Sequence, residues 1–258
     1  MKGKTNTLDP MGRVGDLYFA ETLSSFKNAS ISAIADQMFR NYSALTSAVL
    51  PNVRNIGAYA FARTAIAAAD FPAAVTVGSY AFESCASLLT ANFPECTAIG
   101  EWAFLYCRIQ TAAFPKCVEV KNGAFYGCKL KAVSFPACVS IGDVAFANVF
   151  ALSSVYFPAA AGIGGSAFRA CIQLKTASFP ACTTIGSNAF LDCERLISLY
   201  LMGSSVAALG LSAFASTPIG GYSEAAGRYG SVFVPASLVS AYKKAKNWTS
   251  VAARITGV

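Results

Sequence analysis

A block of about 22 residues repeats eight or nine times between Ile31 and Phe214, so the chain has to fold as a stack of small units around one continuous core. The clearest copies run from Leu88 to Cys107 (LLTANFPECTAIGEWAFLYC) and from Leu174 to Cys193 (LKTASFPACTTIGSNAFLDC). Both reduce to L-x-x-A-x-F-P-x-C-x-x-I-G-x-x-A-F-x-x-C. The Phe of the A-F pair keeps the period: Phe61, Phe82, Phe104, Phe125, Phe146, Phe168 and Phe190 follow at steps of 21 or 22 residues, with Phe39 before and Phe214 after. Pro51, Pro72, Pro94, Pro115, Pro136, Pro158 and Pro180 give an independent count in phase with the first.

Within one unit Leu174, Ala177 and Phe179 alternate with polar residues, the pattern of a short strand with one face inward. Pro180 ends it, because proline has no N–H to give a parallel ladder. Ile185-Gly186 and Ala189-Phe190 then return apolar side chains to the core from the opposite wall, with the glycine at a tight bend. Stacking the units predicts two internal phenylalanine ladders, the A-F residues in one and Phe71, Phe93, Phe114, Phe135, Phe157 and Phe179 in the other. Fifteen of the nineteen phenylalanines fall in the two.

Such an array needs covers at both ends. Residues 1–30 lack the repeat markers, and Leu17, Phe19, Leu23 and Phe26 supply apolar side chains for an N-terminal cap. Residues 31–214 form the array and residues 215–258 the terminal unit. There Val232-Phe233-Val234-Pro235 repeats the strand-then-proline signature, and Ser237 is expected to start a capping helix with Leu238, Tyr242 and Ala245 on its inner face. Lys243, Lys244, Lys246, Arg254 and Arg228 concentrate positive charge in this cap. With 55% hydrophobic and 13% charged residues the chain is too apolar to be disordered, yet no apolar run reaches the ~20 residues of a membrane span. No apolar leader follows Met1.

The chemistry-bearing residues are few. Nine cysteines occupy two positions of the repeat: Cys85, Cys107, Cys128, Cys171 and Cys193 follow the A-F phenylalanine by three, and Cys96, Cys117, Cys138 and Cys182 precede the Ile-Gly position by three. That regularity is expected of reduced core filler. There is no C-x-x-C and no histidine, which argues against a metal site and removes the usual general base and nucleophile pairs. No phosphate-binding loop is present. The inventory points to a non-enzymatic protein without a cofactor.

The F-P and I-G-x-x-A-F elements over residues 31–214 resemble the BspA-like leucine-rich repeats of bacterial and some protist surface proteins, also called the Treponema pallidum type. The V-F-V-P-A-S-L-V-x-A-Y-K segment from Val232 looks like the terminal unit of that family. The resemblance implies a right-handed superhelical solenoid with a parallel sheet on its concave face, short turns or strands on the convex side and a C-terminal capping helix. It also implies a cell-surface or secreted place and, for several members, adhesion to host matrix proteins or other cells. No leader precedes the repeats in this sequence, which leaves a cytoplasmic place open.

If the protein binds a partner, the strand residues between core positions are the natural contact. On that face Asp70, Asn92, Tyr156 and Tyr200 stand beside the last core position and Lys131 and Lys175 at strand starts, among mostly small side chains. Exposed tyrosine anchors partners at low entropic cost. Three readings follow: a recognition module for a protein or glycan, a passive spacer, and, through the lysines of the cap, a binder of anionic surfaces. Nucleic acid is not an expected partner.

Overall fold

The computed structural model describes residues 22–258, so Leu17 and Phe19 lie outside the described residues. Each coil contributes to three walls. The first is a broad parallel sheet of eleven short strands, from Ser25–Lys27 through Ser154–Tyr156 to Ser231–Val234 and Ile255–Gly257. Its register is that of the repeat: Ser154, Val155 and Tyr156 pair with Ala132, Val133 and Ser134 on one side and Thr176, Ala177 and Ser178 on the other. The middle residue of each strand faces the core and its neighbours face out, as the alternation predicts.

Ladder pairing in this sheet is interrupted twice, before Ala68–Asp70 and before Ala132–Ser134. The strands preceding the breaks, Ser47–Val49 and Thr111–Ala113, have only half-buried alanines at their middle positions. From Ala132–Ser134 to the C-terminus six strands pair without a break.

The second wall is a nine-stranded parallel sheet of two-residue strands running from Ala33–Ile34 to Ala208–Leu209, each ending on a buried Ile, Val or Leu. The glycines that follow these residues stack so closely that a Cβ on Gly164 would lie 2.5 Å from the carbonyl carbon of Gly142. Where Lys121 occupies this column its amide reaches Ile99 O at 3.2 Å, against 2.8 Å from Gly142 to Val120.

The third wall carries the A-F phenylalanines. The residues two before and two after each of them lie in the left-handed region, among them Tyr59 (φ 56°), Arg63 (φ 60°) and Trp102 (φ 55°). Side chains with a Cβ lose about 1–2 kcal/mol there. The compensation is a ladder: Tyr59 N donates to Ser79 O at 3.0 Å, Phe61 N to Ala81 O at 2.7 Å and Arg63 N to Glu83 O at 2.8 Å. The same three bonds recur from coil to coil, always from an N–H to a carbonyl of the next coil. In one coil both positions are glycine, Gly123 (φ 62°) and Gly127 (φ 70°), and the rings of Trp102 and Tyr106 from the preceding coil rest against them.

Inside the walls stand the two phenylalanine ladders. Phe125 stacks on Phe146 at 5.3 Å and 7°, Phe135 on Phe157 at 5.4 Å and 3°, and the ladders meet edge to face, Phe125 against Phe135 at 5.9 Å and 60°. Offset-stacked and edge-to-face pairs contribute about 0.5–1.5 kcal/mol beyond burial. The ladder begins with Phe26, 5.0 Å from Phe39, on the strand Ser25–Lys27, which pairs in register with Ser47–Val49.

The C-terminal end departs from the expected single helix. Ala236–Leu238 is a 3-10 turn, Val239–Lys244 a six-residue α-helix and Trp248–Arg254 a second 3-10 segment. Ser237 does not cap the helix; Leu238 stands at the N-cap, without a side-chain hydrogen bond. The helix stops because Ala245 turns extended and Asn247 adopts φ 66°, which lets Asn247 Nδ2 reach Leu209 O at 2.6 Å. Tyr242 and Trp248 are fully buried under the last coil, and Leu238 and Ala245 pack against the core as expected. The chain then adds the strand Ile255–Gly257 to the broad sheet.

Candidate binding surface

The outward residues of the broad sheet form two columns. One holds small hydroxyl side chains and alanines, including Thr90, Thr111, Ala132, Ser154, Thr176 and Ser198. The other carries Asp70, Asn92, Ala113, Ser134, Tyr156, Ser178, Tyr200 and Phe233 in ladder order.

The six residues expected on this face do not form one site. Asp70 and Asn92 are adjacent and engage each other, Asn92 Nδ2 donating to Asp70 Oδ1 at 2.8 Å. They stand four and three strands from Tyr156, and at ~4.8 Å per strand Asp70 is ~19 Å away. Lys131, Tyr156, Lys175 and Tyr200 stand on four consecutive strands or their lead-ins, the lysines three residues along the strand, ~10 Å, from the tyrosine column. Ser153 N donates to Lys131 O at 2.8 Å and Lys175 N to Ser153 O at 2.9 Å, so the two lysines straddle the coil that bears Tyr156.

The two tyrosines differ. Tyr200 stacks on Phe233 at 4.7 Å and 15°, which covers one ring face. Tyr156 is 49% exposed, has serines in register on both sides, and lies in a shallow dish lined by Ala132, Val133, Ser134, Ser154, Val155, Thr176 and Ser178. It is the ring whose faces remain open to a ligand. Phe233 was not expected on this face, although aligning Pro235 with Pro180 places it opposite Ser178.

Charge is distributed unevenly along the sheet. The strands and lead-ins 108–113, 129–134, 151–156, 173–178 and 195–200 carry Arg108, Lys129, Lys131, Lys175 and Arg195 and no carboxylate; the nearest in sequence is the exposed Glu194. The ion pairs among the described residues, Arg63–Glu83, Lys116–Glu95 and Arg169–Asp192, involve none of these five cations. In the cap Lys243, Lys244 and Lys246 are exposed, while Arg254 lies 3.6 Å over the ring of Tyr229.

The cysteines serve the walls. All nine are buried and free. Cys107 Sγ donates to Phe82 O at 2.9 Å, Cys128 to Phe104 O at 3.1 Å and Cys193 to Phe168 O at 3.1 Å, each thiol serving the preceding coil. Thr64 and Thr217 hold the same position and bond Phe61 O and Phe214 O within their own coils. The second set bonds two residues onward, as Cys96 Sγ does to Ala98 O at 3.3 Å.

Burial pushes the thiols of Cys96, Cys138 and Cys182 up to about 11 from 9.0, against the opposing effect of their backbone hydrogen bonds. A raised folded-state pKa leaves stability intact below the unfolded value and removes it as pH climbs toward the folded one. Urea unfolding in reductant is therefore expected to weaken between pH 9 and about 11, by up to about 1.4 kcal/mol per pH unit for each thiol. The combined Cys96→Ala, Cys138→Ala and Cys182→Ala variant should show a shallower decline, since Ala74 and Ala160 already fill that position in other coils. An identical decline in both proteins would refute the assignment.

No helix among the described residues is long and apolar enough to cross a membrane. No curated protein matches the chain in sequence. Among solved structures it is similar to a leucine-rich cell surface protein of Faecalibacterium prausnitzii A2-165, with a TM-score of 0.50 and 20% identity over 91% of this chain and 64% of that one. The chain thus spans less than two thirds of that protein. A leucine-rich repeat protein of Eubacterium ventriosum ATCC 27560 aligns with a TM-score of 0.40 and 16% identity over 75% of this chain and 82% of that one. The sequence profile of the BspA type leucine-rich repeat region (6 copies) matches residues 15–130 and 118–221, beginning within the stretch read as an N-terminal cap. With the repeat, the parallel solenoid and the profile in agreement over most of its length, the chain belongs to the BspA-type leucine-rich repeat family.

Proposed function

We propose that this protein is a non-enzymatic recognition module of a bacterial cell surface that contacts a protein or glycan through the broad sheet. The observation that carries this reading is the Tyr156 dish: an open aromatic ring among small hydroxyl side chains, on strands led in by lysines with no ion-pair partner among the described residues. An exposed ring of this kind has no role in the core, whose phenylalanines are all accounted for by the two ladders. The surface location is supported by family membership and by the cell surface description of the Faecalibacterium prausnitzii protein.

Binding of the purified protein to immobilised matrix proteins, glycans and whole cells tests the reading. Tyr156→Ala is expected to lower binding at least about tenfold without moving the unfolding midpoint, and Tyr156→Ala with Tyr200→Ala to abolish it. Undiminished binding by the double variant would transfer the contact to another surface, and absence of binding to every target would favour a spacer.

A further inference from the structure

Cations and tyrosines alternate along one half of the broad sheet. Lys131 leads into the strand before that of Tyr156, Lys175 into the strand after it, and Tyr200 follows one strand further. Lysine to lysine and tyrosine to tyrosine are each two strand spacings, ~9.6 Å. A ligand matching both series is linear and rigid, repeats at that interval, and offers a flat apolar ring face and a negative charge in each repeat.

We propose that the face from Lys131 to Tyr200 binds a linear acidic polysaccharide in which a uronate alternates with an uncharged sugar. The inference rests on the recognition reading above and names its ligand. Two linked pyranose rings have about the length of two strand spacings. The apolar face of one ring lies against Tyr156, whose neighbours Ser134 and Ser178 are too small to fill the space beside it. The uronate carboxylates meet Lys131 and Lys175, with Arg108, Lys129 and Arg195 supplying the surrounding positive field. The hydroxyls of Ser154 and Thr176 stand between ring and lysines as hydrogen-bonding partners for sugar hydroxyls.

An acidic peptide fits less well. An extended strand rises about 3.3 Å per residue and its side chains alternate faces, so same-face groups recur near 6.6 Å rather than at two strand spacings. A nonspecific polyanion would ignore the ring. The half of the sheet with Asp70 and Asn92 has a single outward cation, Lys27, and no outward ring on its described strands, so binding is confined to one end of the rod.

Calorimetric titration with a hyaluronan octasaccharide, which carries uronate on alternate rings, tests the proposal. The methyl ester of that octasaccharide and an inorganic polyphosphate serve as controls. The native oligosaccharide is expected to bind, with at least about tenfold loss for the methyl ester, for Tyr156→Ala, and for Lys131→Gln with Lys175→Gln. Lys243→Gln with Lys244→Gln and Lys246→Gln should leave affinity unchanged. Binding of polyphosphate equal to that of the oligosaccharide and indifferent to Tyr156→Ala would overturn the proposal, as would loss of binding only in the cap variant. If a protein target is captured through Tyr156 while the octasaccharide fails to bind, the ligand assignment falls and the recognition reading stands. If Tyr156→Ala alters no binding of any kind, both fall.

Discussion

Replacing Phe125 with alanine is expected to lower the unfolding free energy by about 3–5 kcal/mol, measured by urea denaturation. Phe125 is fully buried and stacks on Phe104 at 5.2 Å and on Phe146 at 5.3 Å, while meeting Phe114 and Phe135 edge to face. The substitution opens a cavity that the flanking coils cannot close, since their own rings are held by the next neighbours on either side. Because each coil of a solenoid touches only its neighbours, a hole in the middle weakens two interfaces at once. The transition should broaden or split as the halves uncouple. Phe150→Ala is the control: that ring is 44% exposed, lies under Lys129 Nζ at 5.6 Å, and its removal should change stability by no more than about 0.5 kcal/mol. Equal effects of the two substitutions would disprove the internal ladder.

Trp248→Ala should cost a comparable amount, about 3–5 kcal/mol, but lose it at one end. The indole is fully buried, 5.8 Å from the Phe214 ring and edge-on to Tyr242 at 4.9 Å. Its Nε1 donates to Ala207 O at 2.7 Å, so alanine leaves both a cavity and an unsatisfied buried carbonyl. Trp248→Phe keeps most of the ring and loses the hydrogen bond, separating the two contributions; its expected cost is about 1–3 kcal/mol. Amide exchange locates the damage. Protection should fall across Ala208–Leu209 and the following turns and stay unchanged around Phe104. Uniform loss of protection along the rod would show that the cap does not act locally.

Much of this architecture can be read directly from the residues, because a period enforced by large aromatic side chains leaves little freedom. The phenylalanine and proline markers alone predict both ladders, the strand register and the outward position of Tyr156. The third wall is different. Left-handed backbone is ordinarily the province of glycine and asparagine, yet here it is occupied by Tyr59, Arg63, Trp102 and Val144, and only the ladder between coils makes it tolerable. No single unit contains that information. The break in the C-terminal helix is hidden for a similar reason: Val239 to Arg254 reads as helix locally, and the anchoring of Asn247 and Trp248 on Leu209 and Ala207 is a long-range effect. The first strand carries no repeat marker, since Ser25–Lys27 has no F-P pair after it. Of the surface residues, the repeat phase puts Tyr156 and Tyr200 between core positions and Lys131 and Lys175 at strand starts, but the mutual engagement of Asp70 and Asn92 and the covering of Tyr200 by Phe233 required coordinates.

The bonds on the left-handed wall run uniformly from each coil to the next, whereas those flanking the two-residue strands run back, Gly78 N to Ile56 O and Val75 N to Arg54 O among them. Peptide dipoles on the left-handed wall therefore add along the long axis, as in a helix, and those of the narrow sheet oppose them. Beyond Asn188, Phe190 and Asp192 the N–H groups of Ser212, Phe214 and Ser216 meet no further coil among the described residues. Two copies meeting tip to tip through this wall could satisfy those donors only with the carbonyl-bearing tip of the other, an arrangement that propagates into a filament. A two-fold pair joined through this wall would instead set donors against donors.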